Sequence, residues 1–71
     1  MGRRVTAKEA LARNLRRFRQ ERDLSQEELA ARARLTQHLI SALELRKANP
    51  ELNSLERVAR ALGVSVAELF F

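Results

Sequence analysis

Apolar residues recur along this chain at helical spacing, and no stretch alternates with the period of two that marks a strand. Ala7, Leu11, Leu15 and Phe18 fall on one face of a helix that runs to about Arg22, with Asp23 ending it. Thr6 and Glu9 stand before it at the spacing of a capping box, in which a hydroxyl accepts a helix-end N–H and the carboxylate reaches back. Ser25 and Glu28 repeat the device for a second helix to about Ala33, with Leu29, Ala30 and Ala33 inward. After a short turn at Arg34 and Leu35, Thr36 caps a third helix to about Leu45. A loop from Arg46 to Pro50 follows, and Asn53 with Glu56 forms a third box. The helix behind that box buries Leu55, Val58, Ala59 and Leu62 and stops at Gly63, a residue suited to the left-handed position after a helix. Ser65 and Glu68 cap a last short helix carrying Leu69 and Phe70. The expected architecture is an all-α five-helix bundle in a single domain over residues 1–71, with no repeat or linker.

Size and composition sharpen this picture. A chain of 71 residues buries only about 60% of its unfolded surface, so its stability is marginal. It has no cysteine, which removes disulfides and thiolate zinc ligands and fits a reducing, cytoplasmic location. With three Phe and no Trp or Tyr, the core must be aliphatic. No apolar run approaches the ~20 residues that span a bilayer, and no apolar segment of a secretory signal follows Arg3 and Arg4. Met1-Gly2 with Thr6 fits the N-myristoylation pattern, but Thr6 is accounted for as a helix cap and the match is read as chance. One histidine, no cysteine nucleophile and no glycine-rich phosphate loop speak against an enzyme. No metal, cofactor or small-molecule ligand is expected.

Charge separates the two halves. The net charge is +5, and residues 1–34 carry ten basic and five acidic side chains while residues 35–71 carry four of each. The excess, largely Arg3, Arg4, Arg13, Arg16, Arg17, Arg19 and Arg22, points to a polyanion, either nucleic acid or an anionic membrane. Arg13, Arg16 and Arg17 face away from the apolar stripe and are expected in solvent.

The second and third helices, joined by a turn of about three residues, have the spacing of a helix-turn-helix over about residues 26–45. In the third helix Ile40 and Leu43 face inward with Thr36 in line. The helical period puts His38, Ser41, Ala42 and Leu45 on the opposite side and Gln37 on the flank. That face is nearly uncharged but offers amide, imidazole, hydroxyl and methyl groups, which suit base edges in a major groove. The N-terminal ends of both helices, with Gln26 beside one of them, suit phosphates.

Leu24-Ser25-Gln26-Glu27-Glu28-Leu29-Ala30, then Ile40-Ser41-Ala42-Leu43-Glu44, Asn49-Pro50-Glu51-Leu52 and the run from Leu55 to Val64 strongly resemble the phage Cro/repressor (XRE-type) DNA-binding domains, over about residues 15–69. The resemblance implies a lambda-repressor-like fold and a dimeric transcriptional regulator, a repressor or restriction–modification controller, on a palindromic double-stranded DNA operator. It assigns Gln26 to a backbone phosphate, and Thr36, Gln37, His38, Ser41 and Ala42 to the base-facing positions. Arg46, Lys47 and Asn49 fall in the loop that grips the backbone, and Arg19 and Glu44 match a buried ion pair. The chain departs from the pattern at Arg34, where glycine is frequent, and at Glu44-Leu45-Arg46, where the family usually leaves the third helix through Arg or Asn and then Gly. Val66, Leu69, Phe70 and Phe71 form an apolar cluster at the C-terminal end and are the expected dimer interface. The competing expectation is a protein-interaction module, an antitoxin or adaptor with secondary DNA binding. A larger apolar patch on the outward face of the third helix would favour it.

Overall fold

The computed structural model describes residues 5–71. Arg3, Arg4 and the Met1-Gly2 pair lie outside the described residues. Among those described there are four α-helices, α1 (Ala7–Glu21), α2 (Gln26–Ala33), α3 (Gln37–Glu44) and α4 (Leu52–Leu62), and no strand. The fifth expected helix is a single 3-10 turn, Ala67–Phe70. Ser65 and Glu68 do cap it reciprocally, since the Glu68 N–H donates to Ser65 Oγ at 3.2 Å and the Ser65 N–H donates to Glu68 Oε1 at 3.1 Å. Four residues are too few for an α-helix to offset its nucleation cost, so the tighter turn forms instead.

The starts of the helices follow local chemistry. Thr6 Oγ1 accepts the Glu9 N–H at 3.1 Å, Ser25 and Glu28 complete a capping box, and Thr36 Oγ1 accepts the Leu39 N–H at 3.1 Å. The box expected at Asn53 does not form. The helix α4 begins earlier, behind Glu51, which makes no side-chain cap, and Asn53 lies exposed inside it. The earlier start adds a backbone bond from the Leu55 N–H to the Glu51 carbonyl at 3.1 Å, and water can serve the uncapped N–H groups.

All four helices end alike. The chain passes through a left-handed residue, Asp23, Arg34, Arg46 or Gly63. The next N–H then reaches back to close the helix: Leu24 to Arg19, Leu35 to Ala30, Lys47 to Ala42, and Val64 to Ala59, at 2.8–3.1 Å. This is the Schellman arrangement. Only one of the four positions is glycine. The other three side chains accept a strain of about 1–2 kcal/mol each, so the turn at Arg34 keeps the glycine-type path without the glycine.

The core is aliphatic. Leu15, Leu29, Ile40, Leu43, Val58 and Leu69 are fully buried, joined by Leu11, Leu24 and Leu62, with Phe18 and Phe70 packed at its margin. The helix α1 packs on α3 and on the C-terminal turn, while α2 packs on α3 and α4. Ala7, expected on the inward stripe, is exposed because it lies in the first turn of α1, ahead of the packed segment that starts at Ala10. The core burial of Leu69 also removes it from the expected dimer surface. Its side chain is fully buried in the chain's own core, in the turn that packs on α1.

Candidate nucleic-acid interface

Two elements carry the expected contacts, and one buried carboxylate joins them. Glu44, in the last turn of α3, has a side chain only 1% exposed. Arg19, from α1, grips it with both arms of its fork: Nε to Oε2 at 2.7 Å and Nη2 to Oε1 at 3.0 Å. The remaining arm donates to the Leu24 carbonyl at 2.8 Å. Gln26, the first residue of α2, donates its Nε2 to the same Oε1 at 3.2 Å, and Arg16 approaches that oxygen at 3.5 Å. Burial alone would push the Glu44 carboxyl up. The hydrogen bonds from Arg19 and Gln26 and the charge of Arg19 outweigh burial and hold the group below the usual carboxylate range. The same hydrogen bond raises the Arg19 guanidinium above its ordinary value.

The network reports on four of the sequence expectations. Arg19 and Glu44 are brought together. Gln26 meets Glu44 through one amide N–H, and the second N–H of that group stays available for an external acceptor. Arg16 and Arg13, expected in solvent, are half engaged. Arg16 Nη2 reaches the Glu44 carbonyl at 3.5 Å, and Arg13 Nη2 donates to the Phe71 carbonyl at 2.8 Å. Their stems leave the apolar face, but guanidiniums at the end of three methylenes swing back to nearby carbonyls.

The outward side of α3 is open. Thr36, Gln37 and His38 are exposed, Ser41 and Ala42 half-buried, and Leu45 is 51% exposed. No carboxylate stands on this side, since Glu44 is turned inward. Arg46, Lys47 and Asn49 follow on an exposed loop, pinned by Ala48, which packs on the core. Arg46 holds the left-handed conformation at φ 62°, so the usual glycine's path out of the helix is kept here by an arginine. At the C-terminal end Val66 and Phe70 are half-buried and Phe71 is 84% exposed.

Sequence reasoning missed two supports. Asn14 is 1% exposed and donates to the Leu69 carbonyl at 3.1 Å, fastening the final turn to α1. Its place among Ala10, Leu11 and Leu15 on the inward face was the available sign. Arg22 donates Nε to the Leu62 carbonyl at 2.7 Å, capping α4 from the end of α1. A surface arginine at a helix end gives no local sign of so distant a partner.

The resulting arrangement is a short helix with an uncharged polar face, flanked by a positioned amide and a basic loop. Such a set can donate to phosphates on both sides while an amide, an imidazole and a hydroxyl meet base edges. Comparison with known proteins identifies the family. The Helix-turn-helix family model HTH_3 matches residues 15–69. An uncharacterized HTH-type transcriptional regulator of Sinorhizobium fredii is 45% identical over 56 residues, 79% of this chain and 73% of that protein. The control protein C.MunI of a Mycoplasma species is 40% identical over 57 residues, covering 79% of this chain and 77% of its own length. In structure, the hypothetical transcription factor NHTF from Neisseria superposes with a TM-score of 0.89 at 38% identity, over 93% of this chain and 76% of that one. No described helix is long and apolar enough to cross a membrane. The chain belongs to the XRE-type helix-turn-helix family of DNA-binding transcriptional regulators.

Proposed function

We propose that this chain is a sequence-specific regulator, a repressor or controller, that binds a palindromic double-stranded DNA operator as a homodimer. The observation that carries the reading is the shared Glu44 oxygen. It holds the Gln26 amide at the start of α2 with one N–H to spare, against the same helix whose outward face is free of charge. In this reading Gln26, Arg46, Lys47 and Asn49 hold the backbone and set the register, joined by Thr36, which moves here from the base-facing role that the resemblance implies. Gln37, His38 and Ser41 read bases, with the Ala42 methyl available to a thymine methyl. The Thr36 hydroxyl already accepts from the Leu39 N–H, which leaves its own proton for a phosphate oxygen. The similarity to the control protein C.MunI supports the controller side of this reading.

The dimer surface in this reading is Phe71 with the exposed flanks of Val66 and Phe70. Leu69 supports it from beneath rather than taking part. Two-fold pairing there serves recognition helices about 34 Å apart, one DNA turn. Selection of binding sites from random duplexes, followed by a gel shift across a salt series, tests the reading. A two-fold symmetric site with steep salt dependence is expected. Binding with no preferred sequence would refute it. Removal of Phe71 should move the protein toward monomer in analytical ultracentrifugation, and an undiminished dimer would place the interface elsewhere.

A further inference from the structure

The C-terminal end of α2 and the outer side of α4 take no part in the interface described above, yet they form an open groove rich in one charge. Its lining includes Arg32, Arg34, Arg57 and Arg60, with Asn53 and a single carboxylate, Glu56. All four arginines are exposed, and among the described residues none of them forms an ion pair. The carboxylate of Glu28 is near enough to Arg32 to be lowered by it, after the larger effect of its own capping bonds to Ser25. That still leaves the groove strongly cationic. Four guanidiniums along one groove repel one another, and a polyanion is the partner that relieves this.

The groove is tied to the reading helix. Arg57 Nη1 donates to the Arg34 carbonyl at 3.4 Å, joining α4 to the turn that leads into α3. Arg34 stands two residues before the Thr36 cap and holds a left-handed backbone, φ 57° and ψ 43°, where glycine would be free of strain. A helix-turn-helix enters the major groove with the N-terminal residues of its second helix, and the preceding helix crosses the backbone. The turn at Arg34 then lies at the rim where phosphates run, and the arginine groove continues outward from that rim.

We infer that the groove is a second backbone-binding surface, which takes the phosphodiester chain of the duplex beyond the N-terminal end of α3. This rests on the DNA-binding reading and extends it. Guanidinium forks match phosphate oxygens two at a time. The apolar part of the lining is only Ala33 and Ala61, so the groove lacks the large anchors on which protein partners depend. Its charge therefore favours a nucleic-acid backbone over an acidic protein segment.

The test uses the selected site alone and the same site extended by about one helical turn, about 10 base pairs, at each end. Wild type, R57A/R60A and the charge-keeping R57K/R60K are compared between about 50 and 200 mM salt, where phosphate contacts are read as a salt slope. Wild type should bind the extended duplex more tightly. R57A/R60A should lose that gain, and its salt slope should fall by about one for each arginine removed. R57K/R60K should keep most of the gain, and all three proteins should select the same sequence. Should R57A/R60A misfold by circular dichroism, R32A/R60A carries the same expectation. A wild type indifferent to the flanks, or R57A/R60A matching wild type on both duplexes, overturns the inference while the DNA-binding reading stands. Unchanged duplex binding together with lost binding of a poly-glutamate peptide overturns it in favour of an acidic protein. A wild type that selects no sequence refutes both.

Discussion

The Gln26 amide nitrogen lies 3.2 Å from Glu44 Oε1, the oxygen that also accepts Arg19 Nη2 at 3.0 Å. One carboxylate therefore fixes the start of α2, the end of α3 and the last turn of α1 relative to one another. Stability and the placing of the Gln26 amide, which the proposed function turns toward a phosphate, depend on the same buried charge.

Replacing Glu44 by alanine leaves the Arg19 guanidinium beside a cavity with no counter-charge. Truncating one partner of a buried pair costs about 3–5 kcal/mol, a large share of what so small a domain has. Chemical denaturation should show most of the fold lost. A midpoint close to wild type would mean that the pair contributes little.

The pair also sets a direction for acid sensitivity. The folded carboxyl of Glu44 is held below its ordinary value, so its contribution is fully present above the unfolded value of about 4.3. It is lost as pH falls through the lower folded value. The melting-temperature gap between wild type and Glu44→Gln should be constant from neutral pH to about pH 5 and then narrow on further acidification. A gap that widens with acid would contradict this sign.

Gln37→Ala should leave the fold intact, because the side chain is exposed in the first turn of α3. Loss of a bidentate amide pair costs about 1–3 kcal/mol at one base position. Site selection by the variant should make that single position degenerate. An unchanged preference would remove Gln37 from the reading set.

Arg34→Gly separates strain from charge. Relief of about 1–2 kcal/mol of left-handed strain, less about 0.5–1 kcal/mol for the entropy of an added glycine, leaves a small gain in stability. The melt should rise, while DNA affinity falls with the lost arginine of the groove. A lower melting temperature would mean that the Arg34 side chain has stabilising contacts that outweigh its strain.

What could be read from the chain alone is what acts over a few residues. Capping at Ser25 and Thr36, the left-handed stop at Gly63 and the inward faces of α2, α3 and α4 depend on neighbours one helical turn away. The same short-range logic made the exposure of Gln37 and His38 legible, since a helix that buries Ile40 and Leu43 turns His38 to the opposite side and Gln37 to the flank, with Ser41 left half-buried. It failed where a more distant element competed. The Asn53 cap was bypassed when α4 began two residues earlier, behind Glu51, and Leu69 went into the core. Asn14 found its partner 55 residues away, in the Leu69 carbonyl. Arg16 and Gln26 converge on Glu44 only because α1, α2 and α3 meet at that oxygen. Capping and periodicity are settled by geometry within a helix, whereas which long side chain meets which carboxylate is settled by how helices cross, and that geometry exists only once the chain has packed.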